Sequence, residues 1–407
     1  MAYPVSFRGL RSRVREAITP SPQSGFERAA CGVPRQWLYL FDDGGIVFSE
    51  TCNRFAGLDA SGVAAYLALD CGADRADWCP SINKNHAEVA ARSDLAAIEA
   101  LTHGIFPEDE SDYEHWPGPA PIHDNSTREL FARFNLHGIP VQVDFPPGTG
   151  GELCRDCFRG FEATDEPVRW VISASQKGNV WGICINGEEF FSPSEEHQLG
   201  LGMLHAARSL VYAEGRYDVA FHAGMVAGDD SGLMLCAPRE AGKSTLAAYL
   251  VARGYDYVAD EPTLLDLPSG TAMPLPLPIS LKEGSWTELQ EHWPQMASAP
   301  THLRSDGTPI RLAHPANSSS RSRRVTHIVF PRYLPQAEQE WELLSPLQTL
   351  QSLHEGGMLL AKGFSRERFE MLLEWLARTP GYRMQYALLE EARGMLENSG
   401  GVFEISK

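Results

Sequence analysis

The chain has 407 residues, 43% of them hydrophobic and 22% charged, with nine tryptophans and a formal net charge of −18. That length exceeds one typical domain, so two or three folded units are expected. The acidic balance argues against a nucleic-acid binder, because phosphate backbones demand basic patches, and no run nears the roughly 18 apolar residues of a membrane span.

The N-terminal MAYPVSFRGLRSRVREA carries arginines without an apolar core behind them, unlike a secretory signal. A cytoplasmic protein whose eight cysteines stay reduced is therefore expected. WLYLFDDGGIVFS, Trp37 to Ser49, reads as a β-hairpin turning at Asp42-Asp43-Gly44-Gly45. NRFAGLDASG follows, with Asp59 or Ser61 able to cap a helix. A second helical run, AEVAARSDLAAIEALTHGI, leads into the acidic FPEDESDYE and the proline-rich HWPGPAPIHD, His115 to Asp124. This composition marks a linker and a domain boundary, dividing the chain into units 1–117 and 118–407. LFARFNLHGIPVQVDFPPGTGG and VRWVISASQKGNVWGICINGEEFFS then read as β-rich segments broken by glycine turns. Cys154 and Cys157 form a lone C-x-x-C with no second pair, which reads as structural rather than as a zinc site. EEHQLGLGMLHAARSLVYAEG reads as a helix stopped at Gly215. At the C-terminal end, FSRERFEMLLEWLART and YALLEEARGMLENSG read as two amphipathic helices.

CAPREAGKSTLAAYLVARGYDYVADE, Cys236 to Glu261, carries the chemistry. The apolar run GLMLCA and the helical STLAAYLVARG place the loop Ala237 to Ser244 between a strand and a helix, the context of a phosphate-binding loop. There, free backbone N–H groups and the positive helix end face an anion. Lys243 would reach the β- and γ-phosphates, and the Ser244 hydroxyl would ligate magnesium. The loop departs from G-x-x-x-x-G-K-[ST]: Ala237 replaces the first glycine, Pro238 removes a donor, and Glu240 adds negative charge, with Arg239 beside it as an offset. Ala241, Gly242 and Thr245 complete the expected nucleotide contacts. Asp260 and Glu261 come at the end of a second strand, seventeen residues after Lys243. Paired carboxylates at a strand end suit a base and a metal ligand. His222, in VAFHAG, taken singly reads as a packed core residue.

Together, His222, the Gly242-Lys243-Ser244 ending, ARGY and Asp260-Glu261 resemble the kinase domain of HPr kinase/phosphorylase, related in fold to phosphoenolpyruvate carboxykinase. The match is nearest to HPr-kinase-related proteins of ribosomal-peptide modification systems, which share GKST, a downstream P-x-x-LKEGS stretch, here PLPISLKEGS (Pro276 to Ser285), and a hydrophobic-FPRY segment, here IVFPRY (Ile328 to Tyr333). The resemblance implies an α/β P-loop kinase domain that uses ATP and Mg²⁺. In it Asp260 would be the general base, Glu261 would support the metal, and His222 would lie near the phosphates. It also implies that Asp260 stays ionised beside magnesium and Lys243. Glu261 stands where the family has aspartate, and Thr245 where it has glutamate, which weakens the case for a reverse phosphorylase activity. The N-terminal unit is similar to PqqD-like winged-helix peptide-recognition domains, α+β units that pair a peptide with an edge strand.

The reading is an ATP-dependent kinase acting on a serine or threonine hydroxyl of a peptide or small protein. A nucleotide-binding peptide chaperone and a small-molecule kinase remain its alternatives. Lys282, Arg321, Arg323 and Arg324 are candidates for contacting phosphate or an acidic peptide segment, a solvated basic loop being the other reading of the arginines. The family's hexamers leave a homo-oligomer open.

Overall fold

The computed structural model describes residues 19–20, 26–70, 96–98, 100–103, 131–177, 180–191, 195–214, 216–229, 231–238 and 240–398. The chain forms two compact units of mixed helix and sheet. One takes in Met1–Ser111, Leu344–Ser352 and Lys362–Pro380; the other takes in Asp112–Leu343, Leu353–Ala361 and Gly381–Lys407. The expected linker and the boundary at residue 117 lie outside the described residues, as does Gly215. The expected second unit, 118–407, nonetheless gives two of its segments to the first.

In the first unit, β1 (Thr19–Pro20), β2 (Glu27–Ala30), β3 (Gln36–Leu40), β4 (Gly44–Ser49) and β5 (Arg54–Asp59) form an antiparallel meander. β3 and β4 are the hairpin expected from the sequence. The Asp59 carboxylate accepts from the Gly62 N–H at 2.7 Å and caps the helix Ala60–Asp70, as its position suggested. Leu38, Val47, Val63 and Tyr66 form one apolar core. Tyr39, Phe48 and Phe55 instead meet Phe369 of the helix Arg366–Arg378, whose ring stacks on Phe48 at 4.2 Å.

The second unit opens with β6 (Phe131–Leu136), β7 (Ile139–Asp144), β8 (Trp170–Lys177), β9 (Val180–Ile185) and β10 (Glu188–Phe191), ordered β10-β9-β8-β7-β6. The helices Gly148–Cys157 and Leu199–Glu214 belong to this part. Cys154 and Cys157 sit in the first of them, both buried and unbridged.

Next come β11 (Val219–Phe221), β12 (Ala223–Ala227), β13 (Gly232–Cys236), β14 (Asp256–Asp260), β15 (Thr263–Asp266) and β16 (Thr271–Met273). β17 (Ile279–Lys282), β18 (Thr301–Leu303), β19 (Pro309–Ala313), β20 (Arg323–Arg324), β21 (His327–Tyr333), β22 (Glu340–Leu344), β23 (Met358–Leu360) and β24 (Gly381–Tyr386) complete the set. The sheet that positions the site is ordered β14-β12-β13-β21-β24-β22, with β13, β21 and β24 parallel. The helix Lys243–Ala252 packs into the core of this sheet, with Leu246, Ala247 and Leu250 against Val226, Leu235, Val329 and Met384. That helix is apolar on nearly every side because it is buried on nearly every side.

Candidate active site

Strand register decides which residues meet. β12 runs antiparallel to both β13 and β14, pairing Ala223 with Cys236 and Gly224 with Asp260. His222 at the start of β12, the loop after Cys236, and Asp260 at the end of β14 therefore share one sheet edge. β21 and β24 run parallel to β13 and deliver Tyr333 and Tyr386 to the same edge. This is the carboxyl end of the parallel strands, where open α/β sheets bind ligands.

The loop from Ala237 turns into the helix at Gly242, whose carbonyl accepts the N–H of Leu246 at 2.9 Å. Gly242 has φ +90°, and a Cβ there would lie 2.9 Å from Tyr386 Oη and 3.0 Å from Tyr333 Cβ. Both the left-handed backbone and the two tyrosines thus demand glycine. The Tyr333 N–H also donates to the Ala241 carbonyl at 3.1 Å, tying the loop to β21. Ala237 is buried at the loop's start, and Ser244 and Thr245 occupy the first helical turn. Arg239 lies outside the described residues.

Lys243 is buried, yet its Nζ is well partnered. It donates to the His222 carbonyl at 2.9 Å and pairs with Glu261 Oε1 at 2.7 Å. The same Glu261 oxygen lies 3.2 Å from His222 Nε2. Glu261 holds φ +43°, uncommon for a side chain of its size. Its N–H donates to the Ala223 carbonyl at 3.1 Å, which fixes the turn after β14. Such backbone outliers gather at ligand sites.

The two adjacent carboxyls differ. Asp260 is 4% exposed and Glu261 29% exposed. Burial, reinforced by the Glu261 charge, pushes the Asp260 carboxyl up to about 7, against the opposing pull of Lys243, the Ser244 hydroxyl and Arg208. Burial also presses Glu261 upward, but Lys243 and then His222 outweigh it and hold that carboxyl below its ordinary value. Desolvation is the largest influence on the Asp260 carboxyl and opposes the ionised form that Lys243 favours.

Asp260 Oδ1 is buried without a hydrogen-bond partner, and Gly224 leaves it room, since a Cβ there would stand 3.2 Å away. An orphaned carboxylate oxygen beside the Ser244 hydroxyl and Glu261 is a set of hard oxygen donors that suits Mg²⁺. Among the described residues no cluster of three or more His, Cys, Asp or Glu side chains is arranged to hold a metal.

The other expected basic residues divide between this edge and the rest of the fold. Lys282, at the end of β17, reaches the loop and pairs with Glu240. Arg323 instead pairs with Asp256, at the opposite end of β14 from Asp260. Arg324 is strand-paired with Thr271, and the Arg321 backbone bonds to Ser319. Sequence reading overlooked Tyr333 and Tyr386 as supports of the loop. It also overlooked Arg208, in the helix Leu199–Glu214, whose guanidinium acts on both carboxyls. IVFPRY was a visible signal for Tyr333; nothing in spacing marked Arg208.

No family model matches the chain, and no curated protein does. Among solved structures it is similar to the HPr(Ser) kinase/phosphatase from Coxiella burnetii, at 10% identity, covering 44% of this chain and 95% of that one. The TM-score is 0.23, too low to carry an argument about fold or activity. No helix among the described residues is long and apolar enough to cross a membrane.

Proposed function

We propose that this protein is a P-loop phosphotransferase that moves the γ-phosphoryl group of ATP to a serine or threonine hydroxyl of a peptide. One observation carries the reading: Lys243, Ser244, His222, Asp260 and Glu261 converge at one sheet edge around the start of a buried helix. Lys243 and the loop's backbone N–H groups bind and orient the phosphates. Ser244 and Glu261 would hold magnesium beside the Asp260 carboxylate, and the ion would neutralise charge developing on the transferred group. Asp260 accepts the proton of the attacking hydroxyl; a carboxyl whose affinity for protons lies near neutrality suits that task. His222 braces Glu261, and Glu261 keeps Lys243 extended along the site until phosphate arrives.

The acceptor class rests on the likeness of the hairpin unit to PqqD-like domains, and on β5 being the last strand of its sheet among the described residues, to which an extended peptide can add. The test is mass spectrometry of serine-containing precursor peptides after incubation with ATP and magnesium, with a Lys243→Met control. A gain of one phosphate only with the unsubstituted protein is expected. Nucleotide binding without transfer to any peptide would favour a regulatory or chaperone role, and no Lys243-dependent nucleotide binding would overturn the reading.

A further inference from the structure

Glu240 stands inside an anion-binding loop with a charge of the wrong sign. Its backbone takes φ +73°, and its side chain is 78% exposed. Lys282 Nζ approaches Glu240 Oε1 at 3.0 Å, and that ammonium draws the Glu240 carboxyl below its ordinary value. Lys282 is held on a firm base. It ends β17, where it pairs with Ile310 of β19, while Ile279 and Leu281 of the same strand are buried in the core that holds the loop helix. Only its flexible four-carbon stem has to move for the ammonium to be redirected.

The pair itself is solvated, with Lys282 43% exposed, and such pairs contribute little. A phosphate group offers more charge and stronger charge-assisted hydrogen bonds. The loop also needs a further donor, because Pro238 has no N–H to give. We infer that Lys282 is an exchangeable cation, bound to Glu240 in the free protein and transferred to the phosphates when a nucleoside polyphosphate fills the loop. This rests on the nucleotide-binding reading above and adds to it a binding residue and its resting partner.

The experiment is calorimetric titration of a non-hydrolysable ATP analogue with magnesium into the full chain, Glu240→Gln, Lys282→Met and the double variant. Thermal unfolding would confirm that each is folded. Lys282→Met should weaken binding roughly tenfold, the worth of one charge-assisted contact, and Glu240→Gln should strengthen it. The deciding comparison is Lys282→Met in the Glu240→Gln background. A loss there of roughly tenfold is expected, because the lost contact is to the ligand. No loss would make Lys282 merely the counter-ion of Glu240 and overturn the exchange, even with binding by the unsubstituted chain intact. Absence of binding by the unsubstituted chain would overturn both this inference and the reading beneath it. Should Lys282→Met fail to fold, Lys282→Arg in the Glu240→Gln background decides: retained affinity is expected, and stronger binding by Lys282→Gln than by Lys282→Arg would overturn the exchange.

Discussion

Replacing Asp260 by asparagine should stabilise the ligand-free protein at neutral pH while disabling it. The buried carboxyl has its proton affinity raised from an ordinary 3.8 to about 7. A group shifted upward contributes stability that is fully present below its unfolded value and lost as pH rises through its folded value. Over the whole window, from pH 4 to 7, the loss is about 4 kcal/mol at 1.36 kcal/mol per unit. More than half of it falls between pH 5 and pH 8. Asparagine keeps the shape without the charge, so it escapes this loss. Urea unfolding of the unsubstituted protein and Asp260→Asn, each from pH 5 to 9, would measure it. The variant's advantage should grow by roughly 2–3 kcal/mol between pH 5 and 8 and level off above the folded value. Magnesium and ADP should shrink the gap, because positive charge at the site favours the ionised carboxyl. Parallel stability curves for the two proteins would refute the argument that desolvation governs this carboxyl.

Lys243→Met should weaken magnesium–ATP binding by roughly 100-fold in calorimetry, since it removes a charge-assisted phosphate contact. Gly242→Ala combines φ +90° with a Cβ 2.9 Å from Tyr386 Oη, and a left-handed non-glycine residue costs about 1–3 kcal/mol. It should lower the melting temperature by several degrees, and a Tyr386→Phe partner substitution should recover part of the loss. Gly224→Ala sets a methyl 3.2 Å from Asp260 Oδ1; it should reduce turnover more than nucleotide affinity, which steady-state kinetics and titration would separate.

The loop, its helix and the carboxylate pair were legible because each is local: an apolar strand, a glycine-lysine-serine turn, and a second strand ending in Asp260-Glu261. The hairpin and the Asp59 cap were legible for the same reason. What escaped depends on sheet order. β21 enters the sheet beside β13, and β24 beside β21, from about ninety and one hundred and fifty residues after β13, so Tyr333 and Tyr386 support Gly242 with no sequence neighbour to announce them. The basic run near Arg323 suggested phosphate by composition, but strand pairing with β16 fixes it at the far end of β14, where Asp256 takes up Arg323. The upward push of burial on the Asp260 carboxyl was not legible, because desolvation depends on what packs around a carboxyl, which spacing does not encode.

The partition of the chain also changes how a peptide-binding role can be tested. A fragment beginning at residue 118 would keep the helix Arg366–Arg378 but lose the sheet beneath it. Phe369 is fully buried there, stacked 4.2 Å from Phe48 and flanked by Tyr39 and Phe55. Glu370 would lose Arg28, and Leu347 would lose its close approach to Gly44. Stripping the partners from one buried phenylalanine costs about 3–5 kcal/mol, a large share of a typical domain's stability of about 5–15 kcal/mol. The fragment should therefore expose apolar surface, bind a hydrophobic dye and associate, whatever the peptide does. Its loss of peptide phosphorylation would then report a damaged fold and not a missing binding site. Point substitutions on β5 other than at Phe55, made in the full chain, are the cleaner probe, because they leave the Phe369 packing in place. A fragment 118–407 that is monomeric, silent to the dye and cooperative in unfolding would refute this partition.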